Sequence, residues 1–279
     1  MKIGAHVSVA GGLINCFENA EIIGAEAVQI FGSSPRTWKI KKPTDEEVKN
    51  FKEVHKKSKV GPIFLHASYL VNLGSPSDKL WYASINSLVG HMKIAEVIGA
   101  EGLVFHVGSG KDTTKKEAIK RAIKGMKKVL KEVPGKTNLI IENSAGGGTK
   151  LGNTPEEIGE IFREVSSKRV KVCLDTAHAF EAGVLRYTQK EIKDFVKLCD
   201  KEFGWKNVVC IHANDSKTEF DSKHDRHENI GEGFIGLESF KNLSKNKDFK
   251  KVPWILEVPG FGEKKGPDKK NIDILKKMK

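Results

Sequence analysis

The chain has 279 residues, 38% of them hydrophobic and 30% charged, which is enough apolar material for a real core under a charged surface. No stretch approaches the roughly 20 apolar residues that span a bilayer, and the MKIGAHVSV start lacks the apolar run of a secretory signal, so a soluble cytoplasmic protein is expected. A net charge of +12 favours a polyanionic partner such as nucleic acid, although the same lysine and glutamate enrichment also marks heat-adapted proteins.

Taken in order, short apolar runs alternate with longer amphipathic ones. The runs are Lys2–Val7, Ala27–Phe31, Ile63–His66, Gly102–Val107, Asn138–Glu142, Val170–Leu174, Asn207–Ala213 and Trp254–Val258. Each is rich in Ile, Val, Leu or Phe without strict alternation, as strands covered on both faces should be. Between them the pattern turns helical. Trp81, Ile85, Leu88, Met92 and Ala95 recur at steps of three and four within Asp78–Gly99, and Ile119, Ala122, Met126, Val129 and Val133 do so within Thr114–Val133. Four T-x-x-E sequences mark helix starts as capping boxes: Thr44/Glu47, Thr114/Glu117, Thr154/Glu157 and Thr188/Glu191. Eight strand signals, each followed by a helical one, predict an α/β fold of the (βα)8 barrel type. An open doubly wound sheet is the alternative. No Pro/Gly/Ser linker divides the chain, so residues 1–279 read as a single domain. Cys16, Cys173, Cys199 and Cys210 form no C-x-x-C pair and are expected to be reduced structural thiols.

A (βα)8 barrel carries its chemistry at the C-terminal strand ends. There the sequence places His66, His106, Glu142, Asp175 with His178, His212, and Glu257, with Asp225 and His227 on a long loop after the seventh strand. A lone His or carboxylate at such a position is usually structural. Five imidazoles and four carboxylates in one basin are not, because four unneutralised carboxylates repel strongly. A multi-metal centre is the expectation, and His and carboxylate donors without thiolate suit Zn2+, Mn2+ or Fe2+. Nine donors suit three ions. Three divalent ions against four carboxylates leave two positive charges, a match for one hydroxide and one phosphodiester. His6 reads as support for the centre rather than a ligand, and His55, His91 and His224 as non-ligands.

The motifs GAHVSVAGG, HASYLVNLG, IENSAGGG, CLDTAHAFEAG, HANDSK, DRHENIGEG and LEVPG occur in this order along the whole chain. In them the sequence resembles the endonuclease IV family of apurinic/apyrimidinic endonucleases. All nine ligand positions of the family pattern are present. The resemblance implies three zinc ions, with Mn2+ or Fe2+ possible at one position. Glu142 would bridge two ions, His66 and His106 would complete one, Asp175, His212 and Glu257 the second, and His178, Asp225 and His227 would hold the third. It implies hydrolysis by a metal-activated hydroxide on the 5′ side of an abasic sugar in duplex DNA. Glu142 and Glu257 are then the catalytic candidates, Glu142 foremost for orienting or deprotonating water. Arg36, Tyr69 and Leu70 match the positions that enter the base stack, where an apolar wedge offsets stacking lost as DNA kinks. Packing of the barrel mouth is the plainer role for Tyr69 and Leu70. Arg226 can reach a phosphate or lie free in solvent. Val107 and Val258 stand where relatives often carry Pro and Thr. Monomeric action follows from the resemblance alone.

Two rivals remain at this stage. One is a sugar isomerase or epimerase on the same barrel, which predicts one or two ions. The other is a lesion-binding protein with a structural metal centre, which predicts binding without incision.

Overall fold

The computed structural model describes residues 1–263 and 265–279. Strand β1 is Ile3–His6, β2 Val28–Phe31, β3 Ile63–His66, β4 Gly102–His106, β5 Asn138–Glu142, β6 Val170–Asp175 and β7 Val208–His212. Two short strands, β8 (Asp215–Ser216) and β9 (His227–Glu228), pair antiparallel in the loop that follows, and β10 is Trp254–Leu256. The eight long strands close a parallel barrel in the order β1-β10-β7-β6-β5-β4-β3-β2, which excludes the open doubly wound alternative. All eight runs read from the sequence are strands; two coincide at both ends and the others differ by one or two residues.

The helices form the outer layer. They are α1 (Asn15–Ile23), α2 (Asp45–Lys57), α3 (Asp78–Ile98), α4 (Lys115–Glu132), α5 (Pro155–Val165), α6 (Thr176–Glu181), α7 (Gln189–Phe203), α8 (Gly236–Lys245) and α9 (Lys269–Lys276). No helix among the described residues is long and apolar enough to cross a membrane. The predicted stripe of α3 faces the barrel: Trp81, Ile85, Leu88, Met92 and Ala95 are all buried. Each side chain of that kind contributes about 1.5–3 kcal/mol on leaving water, Ala less. Three capping boxes close in both directions, at Thr44, Thr114 and Thr188. The fourth is half made. Thr154 accepts from Glu157 N, but the Glu157 carboxylate is drawn to Lys115 Nζ at 2.8 Å on the neighbouring helix and does not return.

Inside the barrel lies a thin apolar layer of Ala27, Phe64, Val104, Ile140, Cys173, Cys210 and Ile255. Gly4 completes the ring, because a Cβ there would sit against Ala27 O and 2.7 Å from Ile255 Cδ1. Side chains on a strand repeat with period two. The residues two further along therefore face the same axis one layer higher: His6, Gln29, His66, His106, Glu142, Asp175, His212 and Glu257. The pleat itself stacks a polar layer on an apolar floor at the C-terminal mouth.

Candidate metal centre

Seven of the nine predicted ligands reach the mouth by position at a strand end or in the turn that follows it. Asp175 ends β6 and caps α6, its Oδ1 accepting from His178 N at 2.9 Å, so one carboxylate both starts the helix and sets His178 one turn on. Asp225 and His227 arrive from the loop that β8 and β9 tie down. Asp215, fully buried, anchors that loop by accepting from Ser216 N, Gly231 N, Ile235 N and Gly236 N. Gly233 is required there, since a Cβ would lie 2.5 Å from Asp215 Oδ1.

The hydrogen bonds fix the imidazole tautomers. His66 Nδ1 donates to Ala67 O at 2.9 Å, His178 Nδ1 to Asn143 O at 3.0 Å and His227 Nδ1 to Glu257 O at 3.4 Å. His212 Nε2 donates to Gln29 Oε1 at 2.8 Å, and the Gln29 amide is itself oriented because its Nε2 must donate to the Glu257 carboxylate at 2.6 Å. With each N–H spent outward, the remaining nitrogens confront oxygens. His66 Nε2 is 3.0 Å from Glu142 Oε2. His212 Nδ1 is 2.8 Å from Glu142 Oε1 and 3.3 Å from Glu257 Oε2. His178 Nε2 is 3.3 Å from Asp225 Oδ1, and His227 Nε2 is 3.6 Å from Asp175 Oδ2 and 3.8 Å from Asp225 Oδ1. His106 Nε2 lies 3.3 Å from Glu142 Oε2.

Lone pair against lone pair at these separations repels unless a proton or a cation lies between. The nitrogens His178 Nε2 and His227 Nε2 are buried without any hydrogen-bond partner among the described residues. The donors gather into overlapping sets: His66, His106 and Glu142; Glu142, Asp175, His212 and Glu257; Asp175, His178 and His227; and His178, Glu181 and Asp225. An N and O donor set of this kind fits divalent zinc, manganese or iron.

Electrostatics agree. Burial alone would lower the pKa of His212, but the charges of Glu257 and Glu142 hold it well above the ordinary imidazole value. His178 is raised likewise against its burial by Asp175 and Asp225, and His66 by Glu142. Burial would raise the carboxylates, yet His106 and His212 hold Glu142 well below its usual range. His212 and His6 do the same for Glu257, and His178 for Asp225. Burial keeps His6 and His106 low. His6 Nδ1 contacts Glu257 Oε1 at 3.0 Å. None of the metal-capable sets among the described residues includes His55, His91 or His224, and His91 is buried in α3 with Nδ1 on Ser87 O.

A cavity of about 830 Å³ opens above the centre, lined by six of the predicted ligands and by Tyr69, Leu70, Lys150 and Arg226. Tyr69 is 71% exposed and Leu70 36%, so neither is packed away in the mouth. Tyr69 stands edge-on to Phe31 with centroids 5.5 Å apart. Arg36 is exposed on the β2–α2 loop outside the cavity lining, though Ser68 Oγ joins that loop to the Tyr69 segment by donating to Pro35 O at 2.6 Å. Val107 and Val258 are buried.

Sequence reasoning passed over four polar residues. Asn143 Oδ1 accepts from Asp175 N at 2.6 Å; Asn214 donates to Asp175 Oδ2 at 2.7 Å and accepts from Glu257 N at 2.7 Å. Both closely follow a ligand in sequence, Glu142 and His212 respectively, which was the available signal. Gln29 is the lone polar residue inside a buried strand, and that was its signal. Glu181 is fully buried, and burial pushes its carboxyl up to about 7. Cys173 and Cys210, free and buried, meet with sulfurs 3.3 Å apart, which spacing along the chain could not show. Because Gln29 holds both His212 and Glu257, Gln29→Leu is expected to weaken metal retention about 10–100-fold with the fold unchanged. Chelator competition alongside circular dichroism checks this, and wild-type retention would show that the amide is dispensable.

A family model described as a xylose isomerase-like TIM barrel matches residues 17–278. A probable endonuclease 4 from Halothermothrix orenii is 40% identical over 263 residues, covering 94% of each chain. The crystal structure of endonuclease IV from Thermus thermophilus superimposes with a TM-score of 0.88 at 33% identity, covering 100% of this chain and 98% of that one. A D-tagatose 3-epimerase-like protein superimposes at a TM-score of 0.73 but 19% identity, covering 100% and 97%, a likeness of barrel alone.

Proposed function

This chain belongs to the endonuclease IV family, and on that premise we propose that it hydrolyses the phosphodiester 5′ to abasic sites in duplex DNA, leaving a 3′ hydroxyl and a 5′ deoxyribose phosphate. The observation that carries the reading is the confrontation of inward imidazole nitrogens with four carboxylates beneath one open cavity. His66, His106 and Glu142 would hold one zinc ion, Glu142, Asp175, His212 and Glu257 a second, and His178, Asp225 and His227 a third. Bound there, the ions supply Lewis-acid charge to the phosphodiester and lower the pKa of water to about 7.

The protein's own residues do the rest. Glu142 turns Oε2 to His66 and His106 and Oε1 to His212, so one carboxylate spans two donor sets and can orient the attacking water or take its proton. Gln29 and His6 hold Glu257 from within the same layer. Arg226 and Lys150 at the rim offer charge to flanking phosphates. Tyr69 and Leu70 form an exposed apolar step beside the cavity, placed to fill the gap left by a displaced nucleotide.

The test is a duplex oligonucleotide with one tetrahydrofuran abasic analogue. Zinc-replete protein is expected to cut immediately 5′ to the analogue, and an intact strand would overturn the proposal. On the same duplex, replacing Tyr69 and Leu70 together by Ala is expected to weaken binding ten- to hundredfold, from about 1–3 kcal/mol of lost stacking. Equal binding measured by fluorescence anisotropy would remove both residues from the DNA interface.

A further inference from the structure

Among the described residues, Glu181 is the one fully buried carboxylate near the centre that the reading above leaves unused. It ends α6, three residues after His178. Its Oε1 accepts from Ser216 Oγ at 2.7 Å, Arg226 N at 3.1 Å and Thr218 Oγ1 at 3.4 Å. Its Oε2 is buried and has no hydrogen-bond partner among the described residues. The neighbouring cations serve other groups. Lys223 Nζ binds Ala182 O and Asp221, and the Arg226 guanidinium turns back to Asp225 O. A carboxylate oxygen withdrawn from water with neither donor nor counter-ion is strongly unfavourable, and a proton or a cation relieves it.

The geometry offers a cation an address. A carboxylate oxygen of Glu181, a ring nitrogen of His178 and a carboxylate oxygen of Asp225 lie within 4.8 Å of one another. His178 Nε2 is likewise without a partner among the described residues, because Nδ1 is spent on Asn143 O. We propose that Glu181 gives a second carboxylate to the ion held by His178, Asp225 and His227, while its other oxygen anchors the loop that carries two of those ligands. The inference rests on the metal-centre reading above. It makes this position richer in oxygen than the set around His66 and His106, and so more tolerant of Mn2+ or Fe2+. It also couples loop order to metal: the carboxylate that fixes Arg226 N between Asp225 and His227 is the one that meets the ion.

Glu181→Gln separates the two roles. Glutamine keeps an acceptor for Ser216, Thr218 and Arg226 N but removes the anionic donor; Glu181→Ala removes both. Full-length zinc-loaded proteins are treated with graded chelator, and retained ions are counted by elemental analysis. Two ions are expected to leave wild type and Glu181→Gln together. The third is expected to leave Glu181→Gln at a chelator concentration lower by about tenfold or more. The visible spectrum of the cobalt-loaded protein is expected to change in the same variant. Wild-type retention and spectrum in Glu181→Gln, with a deficit confined to Glu181→Ala, would make Glu181 a loop anchor only and overturn the proposal. Wild-type protein holding fewer than three ions would instead overturn the centre on which it rests.

Discussion

Glu142→Gln is expected to lower incision at an abasic site by roughly three orders of magnitude while leaving the barrel folded. The size follows from where the carboxylate sits. Its two oxygens lie 3.0 and 2.8 Å from the ring nitrogens of His66 and His212, so it is the one side chain common to the first two donor sets. An amide there removes a full negative charge between two cation positions and turns an N–H toward one of them. The backbone has no reason to move, because Glu142 pairs with His106 and Cys173 through main-chain register. Single-turnover incision with saturating zinc, together with thermal melting, measures the two effects apart. Turnover near wild type would show that no shared carboxylate is needed and that the two sets act independently.

Much of this centre was legible because the barrel imposes a simple rule. Phe64, Val104, Ile140, Cys173, Cys210 and Ile255 form the floor, and a polar residue follows each of them at the second position. A reader of the sequence sees an apolar run ending in His, Glu or Asp, and the fold class says which end is the mouth. What stayed hidden depends on contacts between elements distant in sequence. Gln29 lies inside a run that continues to Phe31, so its polarity stands out but its partners appear only when β2 is laid between β1 and β3. Glu181 gains its meaning from Ser216 and Arg226, 35 and 45 residues away. Cys173 and Cys210 meet only because the register shifts between Val172 and Cys173 against β7. The half-made cap at Thr154 has the same origin: a local rule predicts the box, and a lysine from another helix takes the glutamate. Helix α6 was hidden for a different reason. At six residues it is too short to show a period, and the capping carboxylate of Asp175 reads equally well as a ligand alone.

The metal-free protein is expected to lose stability as pH rises above about 6.5, while the zinc-loaded protein does not. The sign comes from the imidazoles. His66, His178 and His212 are held above their ordinary value of about 6.5 by facing carboxylates. Their contribution is fully present below that value and is lost as pH climbs through the raised ones. Glu142, Asp225 and Glu257 work in the other direction. Their depressed values contribute above about 4 and fail only in strong acid. Without metal, stability therefore peaks in mild acid, where protons sit between nitrogen and oxygen, and falls once those protons depart and lone pairs face each other. Zinc reverses the trend, because it occupies the place the protons leave and binds more tightly as they go. An ion present at a hundred times its dissociation constant adds about 2.7 kcal/mol. In a chain of this size that is roughly 4–6 °C per ion. Calorimetry with and without chelator, below and above about pH 6.5, is the measurement: the gap in Tm should widen with pH, and incision should vanish on chelation and return with zinc. A gap that stays constant or narrows would mean that the inward imidazoles are not where the ions bind.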